Sequence, residues 1–346
     1  MLRLFGVLVT IALAIATAVV TWPQFFRLEN TFPFAQLVAV RGPVAVGFAT
    51  LTLLALLLSM AKPIRGFAAS VALICFIGAG ANAGIMLVRG VGTESLPEAT
   101  ANSLRVMTWN TAGEATPAAT IAQAAVAMGA DVIALPETSE EVGERVAEEM
   151  SALGSPMWVH HVAYNDEIAY GPQAWETTLL ISPELGDYSV IASSEDGSSN
   201  TGTVPSLVAM PVTGDGPILV AVHAVAPRLD DMAAWQHDLQ WVADQCSTDN
   251  VILLGDFNAT VDHMSGYGTD GGLMGQCTDA ATATGNGSIG TWPTNYPALA
   301  GAPIDHVMAS SKWVATGSVV LKSLDDSGSD HRPLIVQLEP ASDVSP

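Results

Sequence analysis

"VILLGDFNAT" occupies Val251–Thr260. Four apolar residues run into Gly255, Asp256, Phe257 and Asn258. The run predicts a buried strand, yet it finishes by presenting a carboxylate and a carboxamide. Residues two apart on a regular strand face the same side. Asp256 and Asn258 are therefore expected to reach one point, while Phe257 turns into the packed interior. Packing alone does not ask for that ending.

The same ending recurs along the chain. "SLRVMTWN" (Ser103–Asn110) predicts a strand that closes on Asn110, and "DVIALPE" (Asp131–Glu137) one that closes on Glu137. "SLVAMPV" and "PILVAVHAV" flank "TGDG" and predict a hairpin that ends near His223. "PIDHVMAS" holds Asp305 and His306, and "SDHRPLIV" opens with Asp330, His331 and Arg332. Further strands are expected over Glu176–Ser182, Tyr188–Ser193 and "WVATGSVVL". Helices are expected over Ala119–Gly129, over Ser139–Gly154 with Ser139 as N-cap, and over Asp230–Cys246. Polar groups at buried strand ends must be paired or solvated, so these ends predict one shared cleft. The mixture predicts an α/β domain of two packed mixed sheets flanked by helices over 103–340, with 341–346 as a tail.

Ahead of it the chain changes character. Leu4–Phe26, Gly42–Ala61 and Gly66–Val88 are uncharged and apolar. Crossing a hydrocarbon core of about 30 Å takes roughly 20 such residues, so residues 1–89 predict three transmembrane helices, joined by the polar linker 90–102. The first is expected to be retained rather than cleaved, because two more spans follow and no clean small-x-small site precedes Trp22. Arg3, Lys62 and Arg65 place the N-terminus and the second turn in the cytoplasm. Three spans then put the larger domain outside, against the weaker pull of Arg27 and Arg41. Asn82 is expected to pack helices together.

Charge is unevenly spread. The whole chain carries −22, but residues after Ser103 hold six basic and 31 acidic side chains. Such a surface repels nucleic-acid backbones, whose nonspecific affinity comes from Lys and Arg, and it welcomes cations. Cys246 and Cys277 are the cysteines of this domain; in an oxidising space they are a disulfide candidate, two buried thiols being the alternative. His160, His161, His237 and His263 are expected on surfaces or loops. His306 is expected to point away from Asp305 and serve structure. "TWPTNYP" (Thr291–Pro297) can line a substrate cleft through Trp292 and Asn295, or stand as a rigid loop; Arg332 can clamp a phosphate or pair with a surface carboxylate.

The chemistry this set supports is metal-assisted hydrolysis of a phosphate ester. Glu137 and Asp330 offer hard oxygens to Mg²⁺ or Mn²⁺, with Asn110 adding a neutral one. Asp256 and Asn258 can position and deprotonate a water, a histidine can stabilise charge on phosphoryl oxygens, and Asp305 can hold His331 in one tautomer.

"VMTWN", "DVIALPET", "VAVHAVAP", "LLGDFNAT", "APIDHVMAS" and "SDHRPLIVQL", in that order, resemble the motif series of the endonuclease/exonuclease/phosphatase superfamily, across about residues 103–340. The resemblance implies a four-layer α/β sandwich. It makes Asn110, Glu137 and Asp330 metal-site residues and His223 an imidazole beside the phosphate. Asp256 becomes the general base with Asn258 beside it, and Asp305 supports His331, the transition-state partner. His223 resembles the deoxyribonuclease and sphingomyelinase branches. The expected activity is an extracytoplasmic phosphodiesterase or phosphatase acting on a lipid headgroup or small phosphoester, anchored in the bilayer. A nuclease is the alternative, and an inactive membrane scaffold the second.

Overall fold

The computed structural model describes residues 2–93, 95–164, 175–191 and 200–342. The chain forms two compact units, Met1–Arg89 and Gly90–Pro346.

The first unit contains α1 (Leu2–Thr21), α2 (Phe34–Ala39), α3 (Arg41–Leu58) and α4 (Arg65–Arg89). Three stretches, Leu4–Thr21, Arg41–Leu58 and Lys62–Arg89, are long and apolar enough to cross a membrane. The first expected span does not run to Phe26. It stops at Thr21, and Pro23 opens a separate 3₁₀ turn over Pro23–Phe26, because a proline lacks the N–H that would continue the helix. Asn82 is buried, and its amide donates to Thr21 Oγ1 at 3.3 Å and to Gly78 O at 2.9 Å. The Arg41 guanidinium donates to Asn82 Oδ1 at 2.8 Å and Thr21 O at 3.1 Å. Arg41 is thus a buried bundle residue rather than a free loop charge.

The second unit begins with β1 (Leu104–Thr108), α5 (Ala118–Met128), β2 (Val132–Pro136), α6 (Glu140–Ala152), β3 (Trp158–Ala163), β4 (Glu176–Ile181) and β5 (Tyr188–Val190). It continues with β6 (Leu207–Pro211), β7 (Ile218–His223), α7 (Met232–Gln245), β8 (Val251–Asp256) and β9 (Thr278–Asp279). It closes with α8 (Ala280–Ala283), β10 (Asp305–Ala309), β11 (Trp313–Val320) and β12 (Leu334–Pro340). Residues 192 and 193 of the strand expected over Tyr188–Ser193 and residues 343–346 of the expected tail lie outside the described residues. The sheet orders are β11-β12-β1-β2-β4-β3 and β5-β6-β7-β8-β10-β9. Both sheets are mixed: β1 and β2, and β7 and β8, run parallel, while other pairs are antiparallel. β3 was not expected; it is a half-exposed edge strand whose two histidines weaken the apolar alternation.

Strand alternation sorts the core. Val106, Val132, Ala134, Leu219, Ala221, Ile252, Leu254 and Val307 form one cluster between the sheets. Met107, Ile133 and Leu135, one residue out of step, join Ile121, Val142 and Met150 of α5 and α6 in a second cluster. Ser139 caps α6, its side chain accepting from Val142 N. Residues 90–102 hydrogen-bond onto this unit: Ser288 N donates to Gly90 O at 3.0 Å, Thr93 Oγ1 to Ser318 O at 2.7 Å, and Arg105 Nη2 to Pro97 O at 2.8 Å. A disulfide joins Cys246, just past α7, to Cys277, with Cα atoms 5.7 Å apart.

Candidate active site

The inter-sheet rows carry the site. Ile252 and Leu254 lead to Asp256, Leu219 and Ala221 to His223, and Val307 to Asp305, each two residues on along its strand. In register, His223 lies beside Asp256 and Asp256 beside Asp305. Three neighbouring strands therefore set an imidazole and two carboxylates in one line, where the apolar core gives way to the cleft. From the other sheet, Leu104 and Val106 lead two by two to Asn110, and Glu137 follows the end of β2. Asn110 Nδ2 spans the two sheets, 3.0 Å from Glu137 Oε1 and 3.1 Å from Asp256 Oδ2.

Backbone strain gathers here. Ala112, Glu137 and Asn258 have φ of 51°, 56° and 46°, a region non-glycine residues seldom occupy and which costs energy the surrounding structure must supply. Asn258 corrects the alternation argument. β8 ends at Asp256, so Asn258 reaches the cleft through a left-handed turn, not as the next strand residue. Its N–H donates to Asp256 Oδ1 at 2.8 Å, and its amide donates to Ala224 O at 2.9 Å and Asp256 Oδ2 at 3.3 Å. Phe257 is fully buried, edge-on to His306 at 5.3 Å.

The two cleft histidines are pushed in opposite directions. His331 donates Nδ1–H to Asp305 Oδ2 at 2.8 Å, and its Nε2 lies 3.8 Å from Asp256 Oδ2. Burial opposes its charge, but the carboxylates of Asp305 and Asp256 prevail and raise its pKa to about 10. Burial holds His223 below the usual imidazole range, against the pull of Glu137, whose Oε1 is 3.8 Å from Nε2. Burial, reinforced by the charge of Asp305, pushes Asp256 up to about 7, with His331 and the hydrogen bonds from Asn258 and Asn110 pulling back.

The outer residues divide. Asp330 is exposed, and its Oδ2 accepts the indole N–H of Trp292 at 2.8 Å; Asn295 is exposed on the same loop. Of the two readings of Arg332, the structure carries the carboxylate pair: the side chain is 0% exposed and is turned into the protein. It pairs with Asp325 at 2.7 and 2.8 Å and donates to the carbonyls of Gly290, Pro293, Thr294 and Tyr296. A guanidinium so fully engaged is a staple for the Trp292 loop. His263 is likewise buried rather than superficial, packed on Trp235 at 5.1 Å. Sequence reasoning missed the supports. Thr291 Oγ1 accepts from the N–H groups of Ile304 and Asp305, both at 3.1 Å. Ser329 Oγ accepts from His331 N at 2.9 Å and donates to Asn110 O at 2.6 Å. Trp109 Nε1 donates to His331 O at 2.8 Å. A hydroxyl two residues from a motif histidine is the signal that could have found Ser329.

A family model described as the endonuclease/exonuclease/phosphatase family matches residues 107–331. The chain belongs to this family. Its members are phosphoester hydrolases, and the two flanked six-stranded sheets are the family's fold. An endonuclease/exonuclease/phosphatase from Beutenbergia cavernae is similar at 19% identity and a TM-score of 0.51, covering 69% of this chain and 72% of that one. D. rerio TDP2 complexed with single strand DNA product is similar at 16% identity and 0.51, covering 68% and 99%. A family protein from Leptotrichia buccalis stands at 14% and 0.51, covering 68% and 99%. At these identities the likeness speaks for the fold alone. Among curated proteins none matches the chain in sequence.

The donor set fits the hard divalent ion on which such enzymes typically depend. Glu137, Asp256 and Asp305 converge while His223 is held neutral, and Asp305 Oδ1 is buried without a hydrogen-bond partner. Asp256, Asp305 and His331 each bring a ligand atom within 4.8 Å of the others.

Proposed function

We propose that the chain is a membrane-anchored, divalent-metal-dependent phosphodiesterase that hydrolyses a lipid headgroup or small phosphate ester outside the cytoplasm. The observation that carries this reading is the geometry around Asp256, with His223 beside it in register, His331 Nε2 at 3.8 Å and Asn110 joining it to Glu137, and burial and charge push the two histidines in opposite directions. Groups whose environments drive their pKa values apart mark the acid and base assignments of a site.

Asp256, poised near neutrality, takes the proton of the attacking water, and Asn258 fixes the direction of its carboxylate. His331, kept in one tautomer by Asp305, offers a charged Nε2–H to phosphoryl oxygens as negative charge builds on them. His223 stands neutral beside the same phosphate and donates one hydrogen bond. Glu137, with Asn110 at its side, would hold the ion. Bound Mg²⁺ or Mn²⁺ supplies charge neutralisation on the phosphoryl group.

Topology is supported by Lys62 in the tight turn before α4 and Arg65 at the start of α4, and by the burial of Arg41, which removes one opposing charge. A reporter that works only outside the cytoplasm, fused after Asp343, is expected to be active; activity of a cytoplasm-only reporter there contradicts the orientation.

A second reading, an extracytoplasmic nuclease, draws on the fold likeness to D. rerio TDP2 with single strand DNA product. Against it stand the six basic residues after Ser103, of which Arg332 and Arg105 are engaged within the protein. The deciding experiment offers the full chain in detergent phospholipid, a small phosphodiester and plasmid DNA, each with Mg²⁺, Mn²⁺ or chelator. Chelator-sensitive hydrolysis of the first two is expected. Cleavage of DNA alone selects the nuclease, and no hydrolysis at all refutes both.

A further inference from the structure

We propose that Asp238 is a positioning residue for the reaction: its buried carboxylate on α7 ties together the two loops that hold His223 and Asn258 in place. The inference rests on the phosphodiesterase reading and adds to its machinery a residue that touches no substrate.

Asp238 is 0% exposed. Burial raises its pKa, against the pull of the Val225 and Gly202 N–H groups and of His237. A carboxylate kept inside at that cost is there for its two acceptor oxygens, and both go to main chain. Oδ1 accepts from Gly202 N at 2.7 Å, and Oδ2 accepts from Val225 N at 2.9 Å. Each N–H begins an arm that ends on a cleft residue. On the first arm, Asn200 Oδ1 gathers the loop by accepting from Thr201 N at 2.7 Å and Ser206 N at 3.1 Å. Thr201 Oγ1 donates to Ser206 Oγ at 3.0 Å. Ser206 Oγ in turn accepts from His223 N at 2.9 Å and lies 3.3 Å from His223 O. Both backbone polar groups of His223 thus rest on one hydroxyl. On the second arm, Val225 follows Ala224, whose N–H donates to Asp256 O at 3.0 Å and whose O accepts the Asn258 amide at 2.9 Å. One helical turn before Asp238, on the same face of α7, Trp235 Nε1 donates to Asn258 O at 3.1 Å. The left-handed turn at Asn258 is therefore gripped from α7 as well, and the helix is pinned just past its end by the Cys246–Cys277 disulfide. Asn200, Thr201, Ser206 and Asp238 are all buried. Apolar side chains of the same shape would fill that space at little cost to stability. What the polar brace adds is direction: it fixes the angle at which His223 and Asn258 leave the backbone.

The test measures kcat, KM and melting of the full chain in detergent with Mg²⁺, on bis(p-nitrophenyl) phosphate. Asp238→Asn keeps the size but turns one acceptor into an amide that cannot accept, so one of the two N–H groups loses its partner. Its kcat is expected to fall by about 10- to 100-fold, the larger figure being the order reached when a reacting group is misplaced by about 1 Å. KM should hold, because the loss falls on the transition state alone. The control is Ser310→Ala. Ser310 Oγ accepts from Val251 N at 3.0 Å and donates to Asp249 O at 2.7 Å, at the opposite end of β8, so its loss should lower melting and leave kcat in place. A second measurement follows the path. Ser206→Ala removes the hydroxyl on which His223 rests, so it should lower kcat itself, and Asp238→Asn should cost a smaller factor in that background than in the wild type. A normal kcat in Asp238→Asn, or a factor unchanged by Ser206→Ala, overturns the positioning role and leaves the phosphodiesterase reading standing. Where Asp238→Asn does not fold, Ser206→Ala and Trp235→Phe, which keeps a ring but loses the indole N–H, carry the test: unchanged kcat in both overturns the role. Failure of the wild-type protein to hydrolyse the diester overturns both readings.

Discussion

β10 carries two buried aspartate–histidine pairs back to back. On its cleft side, Asp305 accepts from His331 at 2.8 Å. One residue on, facing the other way, His306 binds Asp279 at 2.7 Å. By burial and distance the pairs are near twins; they differ in the second nitrogen. His306 Nε2 donates to Ala259 O at 2.8 Å, and Asp279 also caps α8 through Thr282 N at 2.7 Å. Every group in that pair is used, and the ring is held doubly protonated. His331 Nε2 stops 3.8 Å from Asp256, too long for a hydrogen bond. A closed pair secures the fold, whereas the open one leaves an imidazole nitrogen for the role proposed above, a donor to a substrate oxygen.

The largest effect should fall on the open pair. His331→Gln is expected to cut turnover by about 100- to 10,000-fold, the usual worth of a positioned acid–base group, with little change in melting. A comparable loss of melting temperature instead would make His331 a structural residue like His306.

The closed pair should answer in stability. Asp279→Asn leaves His306 either charged without its counter-ion or stripped of a proton it donates in the fold, a loss of up to about 3–5 kcal/mol. Denaturant unfolding reads that loss, and an unchanged midpoint would mean the pair contributes nothing. Loss of the disulfide, by Cys246→Ser together with Cys277→Ser, should cost about 3–4 kcal/mol in the chain-entropy model. Free-thiol labelling of the unfolded, unreduced chain checks the bond itself, and labelling of both residues there would refute it.

The smallest and most specific effect is in pH. Burial favours neutral Asp279, but His306 and the Thr282 bonds hold its pKa below the ordinary range. Its contribution is present above about pH 3.9 and is lost as pH falls through the lower folded value. Burial opposes charge on His306, but Asp279 and Ala259 raise its pKa. That share is complete below about pH 6.5 and is lost as pH rises through the higher folded value. The stability gap between wild type and Asp279→Asn should therefore be widest between about pH 4 and 6.5. A gap that widens at alkaline pH would invert the assignment.

Much of this was legible in the chain. Apolar alternation running into a polar residue marks both the strand and the face its last side chain takes, so Asp256, His223, Asp305 and Asn110 could be placed before any coordinates. The rest depends on contacts between distant segments, which carry no local pattern. Whether Arg332 faces a phosphate or pairs with a carboxylate is open in the sequence, and Asp325 with four carbonyls draws it inward. His263 lies in a loop, as its surroundings suggest, but Trp235 from a distant helix covers it. The reach of Asn258 depends on a left-handed turn, which asparagine tolerates but does not announce. The first apolar helix stops at Thr21, short of the apolar run that continues to Phe26, because Pro23 opens a separate turn.

The strand row sets Asp256 between His223 and Asp305, the place of the proposed general base. Asp256→Asn keeps the shape and the neighbouring hydrogen-bond geometry but removes the charge. Measured at saturating small phosphodiester with Mg²⁺, in full-length protein shown to melt like the wild type, turnover should fall by at least about 100-fold. Near-normal turnover in that variant would contradict the assignment of Asp256 and the mechanism built on it.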